Sequence, residues 1–354
     1  MRSDRFAIAL MAVIVAVLAP GCEAGDRGAP VPSVPTAAAF LDERHGWIGA
    51  ADGIWYTDDG GRKWTHQFPS QEAVIRLGFV DPRNGWALTQ SLAALRTQNG
   101  GADWITLDVP GASLRAVDLV SPAHAVATDG NGLLVSRDGG KTWDRSRPPL
   151  PLADLDFVSE EEGWAAGEGQ VWHTRDGGET WSAQLTLPEP DQWLGDTFVR
   201  FPSETSGWVL FCLGQGAAYQ ETYLLYGTTD GGRTWTPRLV GGWPWPFEAE
   251  APEAPQGPGG YPVAFDARAD TAWVAVYSPA AGHLEVVRVT LGGAPPVSSD
   301  KIPIEDPRKP TVGISFVDTE TGWLVMSDSQ QKKTAILRSD DGGTSWTSTI
   351  DNPR

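Results

Sequence analysis

The sequence predicts an all-β fold, a seven-bladed β-propeller of four-stranded antiparallel blades. Three observations lead there. A short box ending in Gly-Gly-x-x-Trp is written six times with a seventh, decayed copy; an apolar frame ending in Gly-Trp precedes most copies; and no stretch after residue 22 keeps a helical period. Repeats of this length, each too small to bury its own apolar face, need neighbours, and radial closure leaves only short, protected sheet edges.

The boxes are TDDGGRKW (57–64), TQNGGADW (97–104), SRDGGKTW (136–143), TRDGGETW (174–181), TTDGGRTW (228–235) and SDDGGTSW (339–346). Their final tryptophans are 40, 39, 38, 54 and 111 residues apart, and the widest gap hides the decayed copy VTLGGAPP (289–296). The frames FLDERHGW, FVDPRNGW, FVSEEEGW, FPSETSGW, FDARADTAW and FVDTETGW end at Trp47, Trp86, Trp164, Trp208, Trp273 and Trp323, while LVSPAHAV carries Val126 at that place. Each unit divides into four short apolar runs bounded by Gly, Pro, Asp or Ser, as LRAVDLV, AHAVAT, GLLVSRD and TWDRSR show for the third. The predicted blades are 36–69, 72–109, 113–147, 152–188, 196–240, 262–303 and 310–351. Residues 36–42 could complete the first blade or stitch onto the last.

The box resembles the Asp box, or bacterial neuraminidase repeat. The resemblance implies a tight turn between third and fourth strands, with Asp59, Asn99, Asp138, Asp176, Asp230 and Asp341 accepting backbone N–H bonds within it. Trp64, Trp104, Trp143, Trp181, Trp235 and Trp346 are expected to pack beneath. A calcium site would tolerate neither Asn99 nor the loss of a whole box, so the acids are assigned a structural role and no metal or cofactor is expected. On this basis Trp143→Ala should cost roughly 3–5 kcal/mol.

The 17 tryptophans are almost all absorbed by boxes, frames and third strands; Trp193, Trp243 and Trp245 are not. They lie in connections between blades, where LPEPDQWLGD and GGWPWPFEAEAPEAPQGPGGYP lengthen the chain, and CLGQGAAYQET adds a third insertion within blade five. Topology puts all three on the face opposite the boxes. Trp193, Tyr219, Trp243, Trp245 and Phe247 are therefore the candidate binding residues, because indoles on a rigid scaffold bury much area at small entropic cost. Pro252 to Gly260 reads as a flap. Arg76, Arg115 and Arg200 on the innermost strands are expected to form surface ion pairs rather than to face the central channel.

Residues 1–22 read as an export signal: Arg2 and Arg5 precede an apolar run from Phe6 to Ala19, too short to span a bilayer. LAPGC resembles a lipoprotein signal, which makes Cys22 the expected lipidation site and residues 23–35 a flexible tether. Cys212 follows Trp208-Val209-Leu210-Phe211 and is expected to be a buried thiol. The formal charge of −18 argues against a nucleic-acid partner.

Seven units of this frame and box resemble the photosystem II stability and assembly factor family and its non-photosynthetic bacterial relatives, across residues 36–351. That resemblance implies a propeller outside the cytoplasm that binds partner proteins and assists assembly without catalysis. The chain is accordingly read as a cell-envelope lipoprotein or a secreted protein, a monomer that binds an envelope protein or glycan and touches the membrane only through a lipid anchor. The strong acidity and the Trp-Pro-Trp insertion depart from photosynthetic members. The alternative is a glycoside hydrolase, since Asp boxes also occur in sialidases and xyloglucan-degrading enzymes. The early Arg-Ile-Pro motif of sialidases is missing, and Asp191, Asp196, Glu221, Glu248 and Glu250 supply loop acids without fixing a pair. There is no Gly-x-Ser-x-Gly elbow, His-Glu-x-x-His or phosphate loop, and the five histidines are scattered without metal-ligand spacing.

Overall fold

The computed structural model describes residues 30–110, 114–146, 151–189, 192–193, 195–214, 221–242, 253–304, 310–328 and 333–350. Seven antiparallel sheets form the blades of a β-propeller, and among the described residues there is no α-helix. Each sheet is built from one continuous stretch of chain, with strands paired in sequence order from the innermost outward. Blade one shows the plan: β1 (Pro35–Phe40) lines the channel, followed by β2 (Gly46–Ala50), β3 (Gly53–Thr57) and β4 (Thr65–Pro69). Residues 36–40 thus complete the first blade and do not stitch onto the last. In blade six the outer strand is broken into Val297–Ser298 and Ile302–Pro303, both paired with His283–Thr290. That blade is the one whose box has decayed.

A single aromatic device joins the blades. The frame indole of one blade stacks on the frame phenylalanine of the next: Trp47 on Phe79, Trp164 on Phe201, Trp273 on Phe316 and Trp323 on Phe40, with centroids 3.7, 3.6, 3.7 and 3.9 Å apart. The same indole reaches into the neighbour's box. Trp47, Trp273 and Trp323 donate Nε1–H to the carbonyls of Gly100, Gly342 and Gly60 at 3.2, 2.9 and 3.0 Å. Each phenylalanine then receives its own blade's box indole edge-on, as Trp64 meets Phe40 at 6.3 Å and Trp346 meets Phe316 at 5.9 Å. Box and frame are two halves of one inter-blade joint.

Departures from the repeat are readable against this joint. In blade two, Arg96 is buried and its guanidinium donates to the carbonyls of Gly139 and Pro122, supplying the bond that Trp86 does not make. Trp208 faces blade six, whose box is lost, and its buried Nε1–H has no acceptor. Trp164 keeps the stack without the hydrogen bond.

Inside each box the acid closes the turn. Asp138 Oδ1 accepts from the Lys141 and Thr142 amides at 3.0 and 2.9 Å, and Ser136 Oγ accepts the Gly140 amide at 2.7 Å. The Thr142 hydroxyl on Oδ2, with these amides, holds the Asp138 carboxyl down to about 2; Thr180 does the same for Asp176, also about 2. Asn99 keeps the acceptor with its amide oxygen, taking the Asp103 N–H at 2.9 Å. The second box glycine has positive φ, 85° at Gly140, a conformation that a side chain would strain. Trp64 is buried but Trp143 is only half-buried. Trp143→Ala is therefore expected at the bottom of the range for a buried aromatic, about 3 kcal/mol, and Trp64→Ala above it, when urea midpoints are compared.

Candidate functional site

The central channel encloses roughly 690 Å³ and is lined by the innermost strand of every blade. Its wall is uneven. Blades seven and one contribute small residues, among them Ala37, Ala39 and Gly313, whereas Asp118, Asp154, Asp156, Arg200, Asp266 and Arg268 charge the side made by blades three to six. Arg76 of blade two adds a further guanidinium.

The register explains why acids sit there. The channel residue paired with the frame Trp (Val126 in blade three) is Ala39, Gly78, Asp118, Asp156, Arg200, Asp266 or Ser315, going round the ring. Where it can accept, it takes a backbone N–H from the next blade's inner strand. Asp118 Oδ2 accepts Phe157 N–H at 2.8 Å, Asp156 accepts Phe201 N–H, Asp266 Oδ2 accepts Phe316 N–H at 2.7 Å, and Ser315 Oγ accepts Phe40 N–H at 3.0 Å. Edge amides that would otherwise face the lumen unpaired are satisfied in this way. Arg200 cannot accept, and Ala267 N–H instead bonds Asp266 Oδ1 at 2.9 Å.

One layer along the channel, Asp154 gathers three donors: Arg200 Nη1 at 2.7 Å, Val199 N–H at 3.1 Å and Arg76 Nη1 at 3.3 Å. Its side chain is 3% exposed, against 33% for Arg76 and 31% for Arg200. Arg76 comes from blade two, so its reach to blade four crosses the lumen. The expectation that Arg76 and Arg200 form surface pairs is corrected: both face the channel, because the strand alternation turns their positions inward. Arg115 is exposed and lies over Gly130.

Electrostatics follow from depth. Burial raises Asp118 to about 6, and burial together with the Asp118 charge raises Asp156 to about 7. Burial alone would lower the Arg200 guanidinium, but Asp154 and Asp156 outweigh it and raise it. An acid raised in the folded state stabilises fully below its unfolded value near 4, and that contribution is lost as pH rises through 6 to 7. Asp156→Asn keeps an oxygen for the Phe201 amide and removes the ionisation. Urea unfolding should give the parent's stability near pH 4 and a greater stability than the parent's at pH 8, by on the order of 1 kcal/mol or more.

The expected aromatic platform fares differently. Trp193 is a core ring, 1% exposed, edge-on to Phe211 at 6.3 Å and donating Nε1–H to the Pro188 carbonyl at 3.2 Å. Its proposed place on a binding surface is corrected to packing beneath the insertion, since no ring face is left to a partner. Tyr219, Trp243, Trp245 and Phe247 lie outside the described residues, as do Asp191, Glu248 and Glu250. The roots of the three insertions do meet on one face. Gly195 N–H bonds the Cys212 carbonyl and Glu221 N–H the Gly260 carbonyl, each at 3.1 Å. Glu221 is buried, with Oε1 accepting the Gly214 amide, so it staples its own loop. Cys212 is fully buried in the core between blades five and six.

The family model for the photosynthesis system II assembly factor YCF48 matches residues 28–146, the first three blades. No curated protein matches the sequence. Among solved structures, the chain is similar to YCF48 bound to a D1 peptide: TM-score 0.56, 16% identity, 88% of this chain and 95% of that one. It is similar to YCF48 from Cyanidioschyzon merolae, with TM-score 0.57, 14% identity, and coverage of 88% and 98%. An ancestral GH74 enzyme aligns at TM-score 0.58 and 11% identity over 92% of this chain but 47% of its own. At such identities the likeness is one of fold. Blade count, box and frame joints, and the match over the first three blades together make this chain an Asp-box seven-bladed propeller resembling the photosystem II assembly factor family.

Proposed function

We propose that the chain is an extracytoplasmic, non-catalytic module that binds a segment of a partner protein and assists its assembly. The observation that carries this reading is the match of the first three blades to an assembly-factor family, one structural relative of which holds a peptide. The commitments of the channel acids support it. Asp118, Asp156 and Asp266 each take a neighbouring strand's amide, and Asp154 takes two guanidiniums and an amide, which leaves them poorly placed as a general acid and base. The extracytoplasmic assignment rests on the charged and apolar start of the sequence, and Cys22 would carry the lipid; residues 1–29 lie outside the described residues.

The test has two arms. Photo-crosslinking in the native cell, followed by anisotropy titration with overlapping peptides of the captured protein, should give saturable binding that is lost in Trp243→Ala and Trp245→Ala. Incubation with xyloglucan and sialosides should give no products. Turnover abolished by one carboxylate change, such as Asp196→Asn, would instead establish a hydrolase. Fractionation should find the parent with membranes and Cys22→Ser released.

A further inference from the structure

Among the described residues, six of the seven joints between blades keep at least one stack or directional bond. Trp47, Trp164, Trp273 and Trp323 stack on the next blade's phenylalanine. Arg96 bonds blade two to the Gly139 and Pro122 carbonyls of blade three, and Asp118 bonds blade three to the Phe157 amide of blade four. The joint between blades five and six keeps none of these. Ala267 stands where the partner phenylalanine belongs, as its pairing with Ala272 shows, so Trp208 meets no frame ring. The box that would accept the Trp208 Nε1–H is lost, and Arg200 cannot accept the inner-strand amide. Arg238 of blade five reaches the remnant of that box at Gly293, and its buried Nε likewise has no acceptor.

What holds this joint is apolar and non-directional. Leu210 and Leu225 of blade five share a buried cluster with Ala272, Val274 and Val287 of blade six, and Phe198 lies tilted against Phe265 at 6.2 Å. The channel ion pairs do not straddle it: Arg200 is held to Asp154 of blade four, and Arg268 to Asp266 on its own strand. Parting the blades at another joint breaks bonds, whereas here it brings two stranded donors to water.

One end is tied. The connecting segment lies on blade five: Gly257 N–H bonds the Val240 carbonyl at 2.6 Å, the Tyr223 hydroxyl bonds the Pro258 carbonyl at 2.8 Å, and Glu221 N–H bonds that of Gly260 at 3.1 Å. Toward blade six, a hollow of roughly 570 Å³ lies between Gln256 and Pro258 on one side and His283, Glu285 and Lys301 on the other. Both features are at the end of the blades away from the boxes.

We propose that the ring opens between blades five and six, the box ends swinging apart while residues 255–260 act as the hinge. The opening splits the channel wall between Arg200 and Asp266 and gives the lumen a side entrance distinct from its two mouths. The joint between the last blade and the first stays shut, held by the Trp323 stack, its indole bond and the Ser315–Phe40 bond.

The test follows indole Nε1–H exchange in deuterated buffer by NMR on the full chain. Trp164 is the internal control, because its Nε1–H is equally buried and lacks an acceptor, in a joint that keeps its stack and the Asp156–Phe201 bond. Trp208 should exchange at least tenfold faster than Trp164. Its dependence on urea should be measurable but well below that of global unfolding, the mark of a local opening that exposes surface. Cys212, fully buried at the hinge end, should react with iodoacetamide with the urea dependence of global unfolding, read on its own peptide by mass. Equal exchange at Trp208 and Trp164, or exchange at Trp208 that ignores urea or follows global unfolding, overturns the opening. Labelling of Cys212 with the weak urea dependence of Trp208 overturns the hinge, because the blades would then separate along their whole length.

Discussion

Trp323→Ala is expected to lower stability by about 3–5 kcal/mol, the usual cost of truncating a fully buried aromatic. The indole is completely inaccessible, stacks on Phe40, donates to the Gly60 carbonyl and lies under the Arg338 guanidinium at 5.1 Å. Among the described residues no strand exchange joins blade seven to blade one, and these contacts, the Ser315–Phe40 bond and the surrounding core hold the two together. A lowered urea midpoint, with faster amide exchange in blades one and seven than in blade four, would bear this out. An unchanged midpoint would mean that the ring closes by other means. Trp323→Phe should recover part of the loss, since it restores a stack but not the hydrogen bond.

Asp154→Ala, the largest effect expected of a channel residue, should cost about 3 kcal/mol. Breaking a buried charge pair typically costs 3–5 kcal/mol because the partner is left uncompensated. Here two guanidiniums and the Val199 amide lose one carboxylate, but both arginines keep contact with the lumen, which places the cost at the low end. Combining it with Arg76→Met and Arg200→Met should return part of the stability, as removal of all three charges leaves none stranded. If Asp154→Ala has the midpoint of the parent, the triad contributes nothing to the ring.

The blades were legible because their signals are local. An acid, two glycines and an indole at fixed offsets specify a turn regardless of what surrounds it, and six copies set the period. The joint between blades was less so. That Trp47 stacks on Phe79 and bonds Gly100 requires knowing that consecutive units sit side by side in one sense. The sequence does carry one further signal of the joint. Aligning the units on the frame Phe or Leu puts Ala39, Gly78, Asp118, Asp156, Arg200 and Ser315 in one column, just before it, and Asp266 joins them through its pairing with Trp273. A column so rich in small acceptors on an inner strand marks a ring of bonds. Arg76 looked like a surface pair because strand parity in a bulged strand is hard to count from sequence, and the register shift at Val74/Arg76 turns the chain by one residue; Arg200 lies in a regularly paired strand. Trp193 misled for another reason. A ring outside the repeat suggests exposure, yet an insertion also needs an apolar plug where it leaves the blade.

Because each wedge is one uninterrupted segment and the last joint is of the same kind as the others, the point at which the chain starts has no special standing in the circle. New termini opened between two other wedges, with the old ends linked, should give a permuted ring with the same neighbours. The same feature makes a whole wedge the natural unit of duplication or loss in evolution, with the damaged sixth copy surviving because intact neighbours on both sides carry it.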